Sequence, residues 1–186
     1  MAVGQRRITL EEFLAMPEQK PELELMDGEV TPKMAPVTEH VVLQLQFRDL
    51  VDDFARPRKL ARAFPELRES YAEASTIPDV SVYTWDRLPR SPSGGWNNDV
   101  RNPPDLAFEV RSPSQSATDV LVRCLWYVAN GARVSTYADP TERLVVVFRP
   151  LAEPIVLVHA GTVDLSDVIR GFALDIAELF AALIAD

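Results

Sequence analysis

The chain has 186 residues, 47% hydrophobic and 25% charged, with 15 prolines and only 7 glycines, which suits one folded domain with its own core. Such a composition excludes a disordered, collagen-like or repeat-built protein. The 19 Lys plus Arg stand against 28 Asp plus Glu, a net charge of −9, so bulk electrostatics repel a polyanion and any nucleic-acid contact needs a local basic patch.

The single cysteine, Cys124, rules out an intramolecular disulfide and a cysteine-built zinc site, and a reducing cytoplasm is the simplest expected setting. Lys20, Lys33 and Lys59 are the only lysines, and His40 and His159 the only histidines. Met1 to Arg7 carries two arginines with no apolar stretch behind them, and nowhere do 18 apolar residues run together. Neither export nor a membrane span is expected.

In chain order, Thr9 with Glu12 three residues on is a capping box and predicts a short helix from about Leu10 to Met16, stopped by Pro17. In PELELMDGEVTPKM, Asp27-Gly28 between two extended runs predicts a tight hairpin. Leu43, Phe47, Leu50 and Phe54 recur at helical spacing and predict an amphipathic helix over Val37 to Phe54. Leu60 to Ala74 reads as strand. IPDVSVYT and PPDLAFEVRS both alternate with period two and read as strands, the second placing Glu109 and Arg111 on one face. About 20 residues from Trp85 to Pro104 separate them, long enough to be functional or mobile. A second helix is expected from about Thr118 to Ala129, with Ser116 as its cap and Gly131 just past its end. Val134 to Ala138 and Leu144 to Phe148 read as a strand pair joined by a DPTE turn, Ile155 to Val158 as another strand, and Asp175 to Ile184 as a closing helix. The expected architecture is a single α+β domain around a mixed sheet flanked by helices.

Two acids stand out. Asp79 opens one strand and Glu109 lies in the next, and if the strands are neighbours their carboxylates, with the Val110 carbonyl, offer hard oxygens that suit Mg²⁺ and phosphodiester hydrolysis. On the residues alone a second reading is open: Asp79 as a turn residue after proline, with Glu109 and Arg111 paired on a solvated face.

IPDV, PPDLAFEVRSPS and TDVLVRCLWYVANGARVSTYADPTERLVVVFRP resemble the Uma-type restriction endonuclease family, a branch of the PD-(D/E)xK nuclease superfamily. ELMDGEV, the helix opening EHVVLQL and the closing VIRGFALDIAELF extend the resemblance from about Thr9 to Phe180. PPDLAFEVRSPS is its most specific piece. It implies a restriction-endonuclease-like fold, DNA as partner and Mg²⁺, or Mn²⁺ in its place, held by Asp79 and Glu109. The superfamily's lysine sits two residues after that glutamate, where this chain has Arg111. The Uma-type lysine sits four residues before a tyrosine, where this chain has Arg123 before Tyr127. Arginine keeps the charge but does not give up its proton to activate water, so the expectation is a weakened endonuclease in which Arg111 or Arg123 steadies the phosphate. The alternative is a catalytically silent module for binding or oligomerisation.

Glu29 and His40 also resemble recurring family positions, Glu29 as a third oxygen ligand and His40 as a group orienting phosphate or water. Each has a plain counterpart, Glu29 as a solvated residue after the turn and His40 as a structural one. His159 reads as a turn residue and Cys124 as core. Arg56, Arg58, Lys59 and Arg62, flanked by Phe54 and Phe64, could meet a phosphate backbone or simply offset Asp52 and Asp53. Trp96 could contact a partner or pack back on the body. Three tryptophans and the apolar stretch FALDIAELFAALIA lead to an expected homodimer.

Overall fold

The computed structural model describes residues 7–185; the N-terminal run considered above for targeting lies outside them but for Arg7. The chain opens with α1 (Leu10–Leu14), whose capping box is complete: Thr9 Oγ1 accepts from Glu12 N and the Glu12 carboxylate accepts from Thr9 N. β1 (Leu23–Met26) and β2 (Glu29–Pro32) form the expected hairpin, and Asp27 and Gly28 turn it with φ of 51° and 77°. α2 (Thr38–Ala55) follows, one residue offset from its expected span.

Leu60 to Ala74 is the first correction. It is not one strand but β3 (Ala61–Pro65) and β4 (Glu69–Tyr71), which belong to different sheets. Pro65 cannot donate to a ladder, and Glu66 with a φ of 50° turns the chain out of the first sheet. β5 (Ala74–Thr76), β6 (Val80–Thr84), β7 (Leu106–Val110), α3 (Ala117–Ala129), β8 (Val134–Asp139), β9 (Leu144–Phe148) and β10 (Ile155–Val158) come next. β11 (Thr162–Asp164), β12 (Ala173–Asp175) and α4 (Ile176–Ala181) end the described chain. The β11–β12 hairpin has no counterpart in the sequence reading, because three residues carry too little alternation to register. α4 is shorter than expected and is capped by Asp175, whose side chain accepts from Ala177 N and Glu178 N. Ser116 stands at the α3 cap position but its hydroxyl makes no capping bond.

A six-stranded sheet runs β10-β9-β8-β7-β6-β3, mixed because β7 and β8 alone are parallel. This is the expected mixed sheet flanked by helices; beside it stand a four-stranded sheet, β2-β1-β5-β4, and the β11–β12 pair. β6 and β7 are direct antiparallel neighbours, with Val80 opposite Phe108. One face of the main sheet packs Val80, Val82, Leu106, Phe108, Val134 and Val147 against Leu43, Phe47 and Val51 of α2. Phe47 stacks on Phe108 with ring centroids 4.0 Å apart. The other face packs Tyr137, Val146 and Phe148 against Val120 and Cys124 of α3, so Cys124 is core as expected. β7 is buried on both faces, which its alternating sequence conceals.

The segment from Trp85 to Pro104 is tied down: Arg87 reaches Asp105 at 2.5 Å and Pro103 O at 2.9 Å, and Val100 and Leu88 are buried against Tyr83. Trp96 lies half exposed, edge-on to Phe64. His159 sits in a turn with φ 63°, as read. The apolar C-terminal stretch supplies Leu174, Ile176, Leu179 and Phe180 to the chain's own core. The exposed apolar side chains include Ile155, Val156 and Val158 on the edge strand β10. Among the described residues, no helix is long and apolar enough to cross a membrane.

Candidate functional site

The β6–β7 register, continued one residue beyond Val80 and Phe108, sets Asp79 opposite Glu109. Asp79 Oδ2 accepts from Val110 N at 2.8 Å, which stitches the two acid-bearing strand ends together. Both acids are buried, with 1% and 4% exposure, yet both line an open cleft of about 570 Å³ between the β1–β2 hairpin and the start of α3. Functional groups collect there because the hairpin, the β6 end, the β7 end and the α3 N-terminus meet at one end of the main sheet's inner strands.

The sequence reading missed the residue in closest contact with Asp79. Lys33, one residue beyond β2, places Nζ 2.7 Å from Asp79 Oδ1 and 2.7 Å from Ile77 O. Its backbone N–H donates to Glu22 O at 2.7 Å, so the hairpin holds the lysine's stem in place. Burial alone would lower the lysine's pKa, but the charges of Asp79, Glu109 and Glu24 outweigh it and the ammonium is favoured. The signal was present in composition: one of three lysines lies directly after a hairpin, while both family seats for lysine hold arginine.

His40, near the start of α2, brings Nε2 to 3.2 Å from Asp79 Oδ2 and Nδ1 to 3.0 Å from Ser112 Oγ. Because the carboxylate only accepts, Nε2 carries the proton in this assignment and Nδ1 accepts from the serine hydroxyl. Gln44, one turn further along α2, donates to Asp79 O at 2.8 Å. Burial pushes the Asp79 carboxyl up, but Lys33 and His40 outweigh it and hold the group far below the usual carboxylate range. Glu109 moves the other way: burial and the charge of Asp79 push it up, against Arg123, Lys33 and the hydrogen bond from Tyr127 Oη at 2.7 Å. Two acids with pKa values driven apart, in a cleft, mark a candidate site on physical grounds.

The two expected arginines part company. Arg123 enters the site's rim: its two terminal nitrogens each lie 2.7 Å from a Glu24 oxygen in a bidentate pair, and Nη1 is 3.8 Å from Glu109 Oε1. Glu24 itself, on β1, was not singled out from sequence; its Oε1 also accepts from Ile77 N at 2.7 Å. Arg111 does not pair with Glu109. Its guanidinium is 2.9 Å from Asp139 Oδ2, where Tyr137 Oη also donates. The side chain follows the last strand residue of β7, so the two-residue alternation no longer governs where it points.

Glu29 lines the same cleft but is exposed, and among the described residues no three His, Cys, Asp or Glu side chains gather closely enough to hold one ion. The donor set still fits Mg²⁺, which is commonly bound through one or two carboxylates and keeps several waters. Lys33 Nζ, a cation between the Asp79 carboxylate and the Ile77 carbonyl, shows that these oxygens accommodate positive charge.

The basic run lies elsewhere. Arg62 pairs with Tyr83 across β3 and β6, toward the Thr84 end of the ladder, whereas Asp79 adjoins the Val80 end. Arg58 stacks on Phe54 at 4.4 Å and donates to Phe54 O, and Arg62 lies 5.0 Å from the Trp96 ring. These cations serve aromatic and backbone partners on the body.

The Uma2 family model, described as "Putative restriction endonuclease", matches residues 10–177, and the chain belongs to that family. The crystal structure of a protein from Anabaena variabilis, described as a "putative nuclease", is similar with a TM-score of 0.89 and 34% identity, covering 95% of this chain and 99% of that one. A chain of a DrdV–DNA complex solved by cryo-electron microscopy matches at 14% identity and a TM-score of 0.36, over 74% of this chain and 10% of its own length, too distant to bear on the fold. Among curated proteins there is no match.

Proposed function

We propose that the chain is a divalent-metal-dependent endonuclease of the PD-(D/E)xK kind that hydrolyses DNA phosphodiester bonds in a cytoplasmic setting. The observation that carries this reading is the juxtaposition of Asp79 and Glu109 on adjoining strand ends in an open cleft. Asp79 and Glu109 would hold Mg²⁺, or Mn²⁺ in its place, with the Ile77 and Val110 carbonyls within the same strand ends. The ion supplies Lewis acidity toward the phosphate and lowers the pKa of water.

The remaining chemistry belongs to the side chains. In the hydrolysis a water oxygen bonds to phosphorus, one ester P–O bond breaks, and the proton given up by water ends on the departing alcohol. Asp79 is ionised at neutral pH and is steadied on three sides, by Lys33, His40 and Val110 N. The raised pKa of Glu109 returns toward the carboxylate when positive charge enters the cleft. Arg123 holds Glu24 and sets positive charge beside Glu109, so its role is to position rather than to deprotonate.

Asp79→Ala and Glu109→Ala should each abolish Mg²⁺-dependent nicking of plasmid DNA and Mn²⁺ binding in calorimetry. Persistence of either property in both variants overturns the assignment. A wild-type protein that neither binds Mn²⁺ nor cleaves DNA points instead to the silent module, a reading favoured by one observation: both arginines that stand at the family's lysine seats are occupied by other carboxylates.

A further inference from the structure

We propose that Lys33 is the working lysine of this site: it neutralises Asp79 while the cleft lacks a metal, and once a divalent ion is held it turns its ammonium to the phosphate undergoing attack. This inference rests on the nuclease reading above and adds the group that the two arginines fail to supply.

Three features support it. Lys33 is the one lysine in contact with the acid pair, through Nζ at 2.7 Å from Asp79 Oδ1. Neither arginine can take its place without abandoning a partner: Arg111 is committed to Asp139 and Arg123 grips Glu24 through both terminal nitrogens. The ammonium has three donors, of which Asp79 Oδ1 and Ile77 O take two, leaving one N–H for a phosphate oxygen.

The position also explains how a lysine far from either family seat reaches the acids. The hairpin register ends at Leu23 opposite Pro32, and the Lys33 backbone still bonds to Glu22 O, so the residue leaves the ladder beside Ile77 and Asp79. The side chain is 18% exposed and lines the cleft, so its ammonium reaches a buried acid while staying at the edge of open space.

The arrangement has a measurable consequence. The ammonium occupies Asp79 Oδ1, an oxygen that a divalent ion must share, and like charges a few ångströms apart in a partly dry cleft repel. Lysine therefore weakens metal binding while aiding cleavage. It stays protonated throughout, so no proton transfer is assigned to it.

The test compares wild type, Lys33→Met and Lys33→Arg, each checked for folding by circular dichroism, with Mn²⁺ affinity by calorimetry and plasmid nicking in Mg²⁺. Lys33→Met should bind Mn²⁺ on the order of tenfold tighter and nick DNA on the order of a hundredfold more slowly. Lys33→Arg should keep weaker metal binding without restoring the rate, and it serves as the readout if the methionine variant does not fold. Wild type that binds Mn²⁺ and cleaves, beside a Lys33→Met variant with unchanged affinity or either variant cleaving within about threefold of wild type, overturns the role of Lys33 and leaves the nuclease reading intact. Wild type that does neither overturns the nuclease reading, and this inference with it.

Discussion

Arg123 and Glu24 show how a single contact decides what a residue is for. Glu24 is 3% exposed, and the guanidinium satisfies both its oxygens, so the pair is stable only as a pair. Removing one partner of a buried ion pair leaves an uncompensated charge, a loss of roughly 3 kcal/mol. Arg123→Met should lower urea stability by about that amount, and Glu24→Gln added to it should recover much of the loss. Arg123→Lys replaces a two-pronged grip by a point charge. That substitution restores the family's residue but not this chain's geometry, and nicking rates should not rise with it. Resemblance located Asp79, Glu109 and Arg123 because their neighbours in sequence form motifs. It did not show that Glu24 pairs with Arg123 or Lys33 with Asp79, since those partners lie 99 and 46 residues apart.

Elements were readable where local physics is strong. α2 carries an apolar face at helical spacing over 18 residues, and the β1–β2 turn needs two left-handed residues, which Asp27-Gly28 provides. The hairpin matters beyond its size, for it delivers Glu24 to Arg123 and Lys33 to Asp79. At Gly28 the φ is 77°, and an added Cβ would lie 2.7 Å from Arg7 Cβ. Gly28→Ala should therefore cost about 1–2 kcal/mol in denaturant unfolding, and by shifting the hairpin it should also impair cleavage. β3 and β4 were not separable in sequence, because which sheet a short strand joins is set by its partners and not by its alternation.

Across the whole molecule, two sheets enclose Glu69, which is fully buried with Oε1 accepting from Tyr83 Oη at 2.7 Å. Burial pushes its carboxyl up to about 8 from an ordinary 4.5, so the folded state keeps a proton that the unfolded chain has lost between those values. Stability from this group is complete below about 4.5 and falls as pH rises toward 8, by a few kcal/mol at most. Glu69→Gln holds the neutral form at every pH. Melting temperatures should then favour the variant at pH 8.5 far more than at pH 5, and equal differences at both would remove the explanation. What the sequence by itself determined was local: the α+β class, the hairpin, the α2 helix, and the strands on which Asp79 and Glu109 stand, because period, turn chemistry and motif are written in adjacent residues. Which cation meets which acid was decided only by the tertiary structure. A strand's period fixes the face a residue takes, while the partner waiting there comes from the packing of hairpin, sheet and helix brought together from distant parts of the chain.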